Sequence, residues 1–142
     1  MFIRSIFVIL VVVSFLYPSL SFAEPDMREG LWEITVKMDM PGMPMQMPAM
    51  THTQCITKKD LIPQKPEKNQ DCKIINSKTS GNTVSWVIQC RDKDGTTAES
   101  SGKVTYKKDK FDGTIDMTVN QPGQGKMKMT QHMSGKRIGE CR

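Results

Sequence analysis

The stretch CKIINSKTSGNTVSWVIQC, from Cys72 to Cys90, decides the fold of this chain because its two halves can pair with each other. It is symmetric about Gly81, with one cysteine nine residues before the glycine and the other nine residues after it. Apolar and polar residues alternate in its second half, which is typical of a half-buried β-strand. The stretch therefore predicts a β-hairpin that turns at Ser80-Gly81-Asn82 and sets Cys72 opposite Cys90.

The four cysteines are predicted to form two disulfide bonds, as is typical of a small exported domain. Directly opposed residues of an antiparallel pair have Cβ atoms close enough for a disulfide, so the hairpin predicts Cys72–Cys90. This leaves Cys55 and Cys141, and their bond would tie the carboxyl-terminal end to the first third of the domain. The sequence has no C-x-x-C, and neither histidine has zinc-finger spacing, which disfavours metal or redox use of these cysteines.

Residues 1–23 have the three parts of a secretory signal peptide. Arg4 supplies the basic region, Ile6–Leu16 is a short apolar region, and Ser21–Ala23 is a small-x-small cleavage site. The apolar run is about half of the ~20 residues that a membrane-spanning helix needs. We therefore expect a single domain at residues 24–142, with no membrane span after cleavage. The expected location is the periplasm, or outside the cell if the cell has a single membrane.

Short alternating segments separated by turn signals continue on both sides of the hairpin. Thr57–Asp60 is predicted to be a capped helical turn, ended by Pro63. The predicted strands are Leu31–Met40, Thr51–Ile56, Cys72–Lys78, Thr83–Arg91, Ala98–Lys107, a strand that begins at Phe111, and a last strand after the Pro122-Gly123 turn. The predicted cross-strand pairs are Ile74 with Ile88, Tyr106 with Phe111, Val119 with Met127, and Met117 with Met129.

The predicted fold class is all-β: an antiparallel meander of about seven strands, with one short helical turn and a Met-rich loop. Because one face of each strand is apolar and must be covered, the sheet is expected to curve into a partial or full barrel, to pack as a sandwich, or to accept a lid from elsewhere in the chain. The predicted core is lean, since residues 24–142 contain only four aromatic side chains, Trp32, Trp86, Tyr106 and Phe111. The two disulfides are expected to compensate for it.

The Met-rich loop lies in the segment MDMPGMPMQMPAMTH, residues 38–52, in which six of fifteen residues are methionine and three are proline. Proline prevents a regular helix or a central strand there. Methionine side chains are flexible and repack easily, so they suit variable apolar contacts. The candidate contact residues for an apolar ligand or a protein partner are therefore Met43, Met45, Met47 and Met50.

The same loop supports other interpretations. Thioethers are soft ligands that suit Cu(I) or Ag(I), so Met43, Met45, Met47 and Met50 with His52 form an alternative metal site, with copper as the implied ion. The methionines could also scavenge oxidants as reversible sulfoxides, or the loop could simply cover the open sheet face. A second group, Met127, Met129 and Met133, is interpreted as core packing, because His132 falls on the opposite face of that strand.

Several function classes are disfavoured. Only two histidines are present as near-neutral bases, and no nucleophile-elbow serine or glycine-rich phosphate loop occurs, so we expect no enzymatic activity. Without Arg4 the chain has 19 basic and 15 acidic side chains, a net charge of +4. These charges are interspersed and form no basic run with aromatics, which argues against nucleic-acid binding. Weak attraction to an anionic membrane surface is compatible with this charge.

Several of these segments together resemble a known family. Gly30-Leu31-Trp32-Glu33 opens the domain, a Met-Pro-Gly-Met segment follows at Met40–Met43, and the chain closes with Ser134–Cys141. In these features the sequence resembles the bacterial exported proteins grouped as domain of unknown function 3617. The resemblance implies a small extracytoplasmic β domain and carries no catalytic residue or cofactor. The expected function is therefore binding without catalysis, with an apolar ligand or protein partner favoured over soft metal or a structural accessory role.

Overall fold

The computed structural model describes residues 24–44, 47–63 and 70–142. The predicted signal peptide at residues 1–23 and the candidate contact residue Met45 lie outside the described residues.

Seven β-strands form one open sheet, and the described residues contain no helix, which confirms the all-β class. In chain order the strands are β1 (Gly30–Asp39), β2 (Met50–Ile56), β3 (Asp71–Ser80), β4 (Thr83–Arg91), β5 (Thr97–Lys107), β6 (Lys110–Gln121) and β7 (Gly125–Gly139).

The strands lie in the order β2-β1-β7-β6-β5-β4-β3, and every neighbouring pair is antiparallel. Strands β3 to β7 form a meander, and β1 pairs with β7 at its far side. Strands β2 and β3 are therefore the two edges of the sheet. The connection between them, residues 57–70, joins one edge to the other. Two of its described residues, Leu61 and Ile62, pack against the core.

The predicted cross-strand pairs are confirmed. The structure pairs Cys72 with Cys90, Ile74 with Ile88, Tyr106 with Phe111, Val119 with Met127, and Met117 with Met129.

The turn of the β3–β4 hairpin differs from the prediction. The register shifts between Ile74 and Asn76, where Ile75 forms a β-bulge, and Ser80 then pairs with Thr83. The turn therefore contains two residues, Gly81 and Asn82, instead of three. Gly81 has φ of 56° and occupies the first central position, where a type II′ turn requires glycine. The third residue of the predicted turn is accommodated by the bulge.

Where the sequence predicts a capped helical turn, at Thr57–Asp60, the structure has one hydrogen-bonded turn that does not continue into a helix. The segment is a single turn closed by the Asp60 amide donating to the Thr57 carbonyl, at 3.0 Å. The Lys58 amide donates to the Glu29 carboxylate at 2.8 Å, so a side chain from before β1 holds this turn.

The core lies on the concave face, and its aromatic cluster shows how strongly the sheet curves. Trp32, Tyr106 and Phe111 are fully buried, and the ring centroids of Trp32 and Tyr106 are 6.4 Å apart. These two residues lie on β1 and β5, three strands apart in the sheet. In a flat sheet three strand spacings would separate them by about 14 Å. The curvature therefore closes the sheet around its aromatic end.

Two glycines allow the large rings to lie flat against the sheet. Gly102 is the cross-strand partner of Trp86, and Gly135 is the partner of Phe111. A Cβ atom at either glycine would overlap the ring of its partner. The core is thus packed partly against bare backbone, which tolerates no added methyl group without movement of the ring.

Candidate functional site

The concave face changes character along the strands. Near the start of β1 it is aromatic and fully buried, whereas near the end of β1 it carries methionine and small aliphatic side chains that are partly exposed. The strand registers place these side chains in rows that cross the sheet. One row contains Cys72, Cys90, Ala98, Val119 and Met127, and the next contains Ile74, Ile88, Ser100, Met117 and Met129. Apolar groups therefore extend from the β3 edge to β7.

A cavity of about 530 Å³ opens on this face at the β3 edge. One wall is the β3–β4 hairpin, with Ile74, Val84 and Ile88 beside the Cys72–Cys90 disulfide. The other wall is the segment after β2, with Leu61 and Ile62, which also pack against the core. The volume lies within the ~300–1,000 Å³ that is typical of small-molecule sites.

Polar groups lie at the margin of this cavity. They are Lys58, Lys59, Asp60, Gln70, Lys73, Ser77 and Thr79. The cavity thus combines an aliphatic wall on each side with three ammonium groups and one carboxylate, and this combination suits a ligand that has both an apolar and a charged part.

Tyr106 fixes the wall that contains Leu61. Its buried phenol donates a hydrogen bond of 2.6 Å to the Leu61 carbonyl, and this bond joins the connection to the core of β5. Burial raises the pKa of Tyr106 well above its ordinary value, and the nearby Asp60 carboxylate raises it further. The phenol therefore stays protonated, as a donor must.

We expect burial of the Tyr106 phenol to make the free energy of unfolding depend on pH in alkaline solution. Because the pKa of Tyr106 is raised only in the folded state, its contribution to the free energy of unfolding is constant below about pH 10 and falls above it by up to about 1.4 kcal/mol per pH unit. Tyr106 is the only tyrosine in residues 24–142, so phenolate absorbance reports its ionisation directly. The control is Tyr106→Phe, whose unfolding curves should lack this component of the pH dependence. Ionisation near pH 10 in the folded protein would contradict the assignment.

The methionines proposed from the sequence lie outside this cavity. Pro41 and Gly42 form a turn in which the Met43 amide donates to the Met40 carbonyl at 3.3 Å, and Gly42 has φ of 93°, as a type II turn requires. After it, Met43, Met47 and Met50 are 58%, 48% and 59% exposed and belong to neither the core nor the cavity lining. These three side chains therefore do not cover the core.

His52 and Met50 share one face of β2. They pair with Ile34 and Val36, and both alternate with Thr51, which faces the outer side beside Thr35. His132 instead lies on the outer face, where its Nε2 is 3.3 Å from the Asp39 carboxylate. Among the described residues, no group of three histidine, cysteine or carboxylate side chains is placed to hold a metal ion.

The second methionine group is only partly core. Met133 is buried, Met129 is half-buried and Met127 is about half exposed. Its members therefore run from the packed end of the concave face to its open end.

Both predicted disulfides, Cys72–Cys90 and Cys55–Cys141, are confirmed. Such bonds persist in oxidising compartments and indicate a protein that works outside the cytoplasm. The part of the chain that the structure describes contains no helix with the length and apolarity to cross a membrane.

A family model described as "Protein of unknown function (DUF3617)" matches residues 27–141. The chain belongs to this family. The match spans all seven strands and both disulfides of this DUF3617 protein, and so includes both walls of the cavity. No curated protein and no solved structure matches the sequence.

The cavity of the DUF3617 protein was not predicted from its sequence. Leu61 and Ile62 are an isolated apolar pair between a polar turn and a polar loop, and no periodicity marks them as a wall. Ile74 did carry a signal, because the symmetric hairpin places it opposite Ile88 on the inner face. Two isoleucines facing inward near a sheet edge indicate an apolar surface that needs cover.

Proposed function

We propose that this DUF3617 protein is a non-enzymatic, periplasmic binding protein that holds an apolar small molecule in the cavity beside β3 and β4. The observation that carries the proposal is the pair of aliphatic walls that line a cavity of about 530 Å³. Ile74 is 60% exposed although it lies on the inner face of its strand, so a ligand in the cavity would remove a large aliphatic side chain from water.

The shape of the site favours a small molecule over a protein partner. A stable protein interface buries about 800 Å² on each side and needs a broad surface. Here the second wall, Leu61 and Ile62, stands opposite the hairpin and leaves a concave space between them. The rows that lead from the Cys72–Cys90 disulfide to Met127 extend this apolar surface, and their methionines can adapt to ligands of different length.

The test is the binding of N-phenyl-1-naphthylamine, an uncharged apolar dye whose fluorescence rises on transfer from water. We expect saturable binding to the folded protein, and about tenfold weaker binding by Ile74→Ser, because the variant loses apolar contact area with the dye. Ile75→Ser is the matched control: Ile75 is 55% exposed, adjacent in sequence, and absent from the cavity lining. An equal loss in both variants, or no binding by the parent protein, would contradict the proposal.

Soft-metal binding is the second candidate, because a thioether and an imidazole, Met50 and His52, lie on one face of β2. Replacing Met43, Met45, Met47 and Met50 with leucine keeps the apolar bulk and removes the sulfur. Under the apolar-ligand proposal, dye binding and Cu(I) affinity are both the same in this variant as in the parent protein. Loss of Cu(I) affinity alone would support a thioether site instead.

A further inference from the structure

The charges around the cavity are unevenly distributed. Lys58, Lys59 and Lys73 line it together with one acidic residue, Asp60, so the margin carries a net charge of +2. Asp60 is exposed, and it is the only acidic side chain in the lining. The lysines therefore dominate the potential at the entrance.

These lysines are available to a ligand. Lys58 is 3.4 Å from the Glu24 carboxylate, but both side chains are mostly exposed, and exposed pairs of this kind contribute little. Among the described residues, neither Lys59 nor Lys73 has an ion-pair partner. An anionic group placed between them would gain charge-assisted hydrogen bonds without first breaking a strong internal pair.

Charge alone does not distinguish this cavity, since other surfaces of the sheet are also basic. The groove on the outer face is lined by Lys37 and Lys103, but also by Asp112 and His132, and it has no aliphatic walls. At the β3 edge, by contrast, several lysines adjoin two walls of leucine and isoleucine. This arrangement matches a molecule with an anionic head and an aliphatic tail.

Resting on the proposed apolar ligand, we infer that the cavity selects single-chain anionic amphiphiles and binds them as monomers. The tail lies between the wall with Leu61 and Ile62 and the wall with Ile74 and Ile88. The head lies near Lys58, Lys59 and Lys73. A monomer fits better than a membrane surface, because the lysines line the same concave space as the apolar walls, which a bilayer surface would not reach.

The test compares three amphiphiles that share one tail. Dodecanoate, dodecanol and dodecyltrimethylammonium compete with N-phenyl-1-naphthylamine at concentrations below micelle formation. We expect dodecanoate to displace the dye at about tenfold lower concentration than dodecanol, and the cationic amphiphile to be the weakest. The advantage of dodecanoate should shrink as salt is raised, because the lysines are exposed to solvent.

A triple variant, Lys58→Gln, Lys59→Gln and Lys73→Gln, identifies the groups responsible. It should bind dodecanoate only as well as dodecanol and leave dodecanol binding unchanged. The matched control replaces Lys103, Lys126 and Lys128 with glutamine, which removes the same charge from positions outside this cavity and should keep the preference for dodecanoate.

The outcomes separate the two proposals. Equal displacement by all three amphiphiles would overturn the selectivity for anions and leave the apolar cavity standing. No dye binding and no amphiphile binding would overturn both. Sedimentation with phosphatidylglycerol vesicles, without displacement of the dye by dodecanoate, would overturn the monomer inference and assign the lysines to a membrane surface instead.

Discussion

Replacing Cys55 and Cys141 with alanine is expected to lower the free energy of unfolding by about 4.6 kcal/mol in the chain-entropy model, because the bond closes a loop of 86 residues. The bond joins β2, an edge strand that pairs only with β1, to the segment after β7. Domains of this size are stable by about 5–15 kcal/mol, so the variant should be marginally folded. Urea unfolding followed by tryptophan fluorescence measures the change.

The second disulfide is the matched control. Cys72–Cys90 closes a loop of 18 residues, for which the same model gives about 3.2 kcal/mol. Alanine in both variants avoids placing a hydroxyl at the half-buried Cys72 and Cys90. A smaller loss for the Cys55–Cys141 variant than for the Cys72–Cys90 variant would show that loop closure does not control the stability of this domain.

The local part of the fold was predictable because a strand has a side-chain period of two and a hairpin fixes its own register. Once Gly81 was taken as the centre, Cys72 had to face Cys90 and Ile74 had to face Ile88, and the structure has both pairs. The bulge at Ile75 left no mark in the sequence, because one extra residue in a strand resembles one extra residue in a turn.

The cavity was not predictable, because it depends on contacts between residues far apart in the chain. Its second wall exists because β1 pairs with β7, which makes β2 and β3 opposite edges, and because Leu61 and Ile62, after β2, pack against the core. No local pattern specifies that pairing. The methionines stand out in the sequence instead, because composition can be read without a fold, whereas the position of Leu61 depends on a bond to Tyr106, 45 residues away.

Gly102→Ala is expected to lower the free energy of unfolding by about 3 kcal/mol, the upper part of the range for overpacked cores. The new Cβ would overlap the ring of Trp86, a buried residue on β4, and the ring has to leave its position to admit it. Gly139→Ala is the matched control, because Gly139 also lies in a strand, has no positive φ and has no neighbouring atom within 4 Å of an added Cβ. Its change should stay within about 0.5 kcal/mol.

A double-mutant cycle distinguishes the ring overlap from any other cost of the methyl group. In a Trp86→Leu background the ring is absent, so Gly102→Ala should cost less than about 1 kcal/mol there. The cycle therefore predicts a coupling energy of about 2 kcal/mol between these cross-strand partners. If Gly102→Ala costs the same in both backgrounds, the requirement for glycine comes from the β5 backbone. A large coupling would instead show that glycine is required at this position because the aromatic ring of Trp86 packs directly against the β5 backbone.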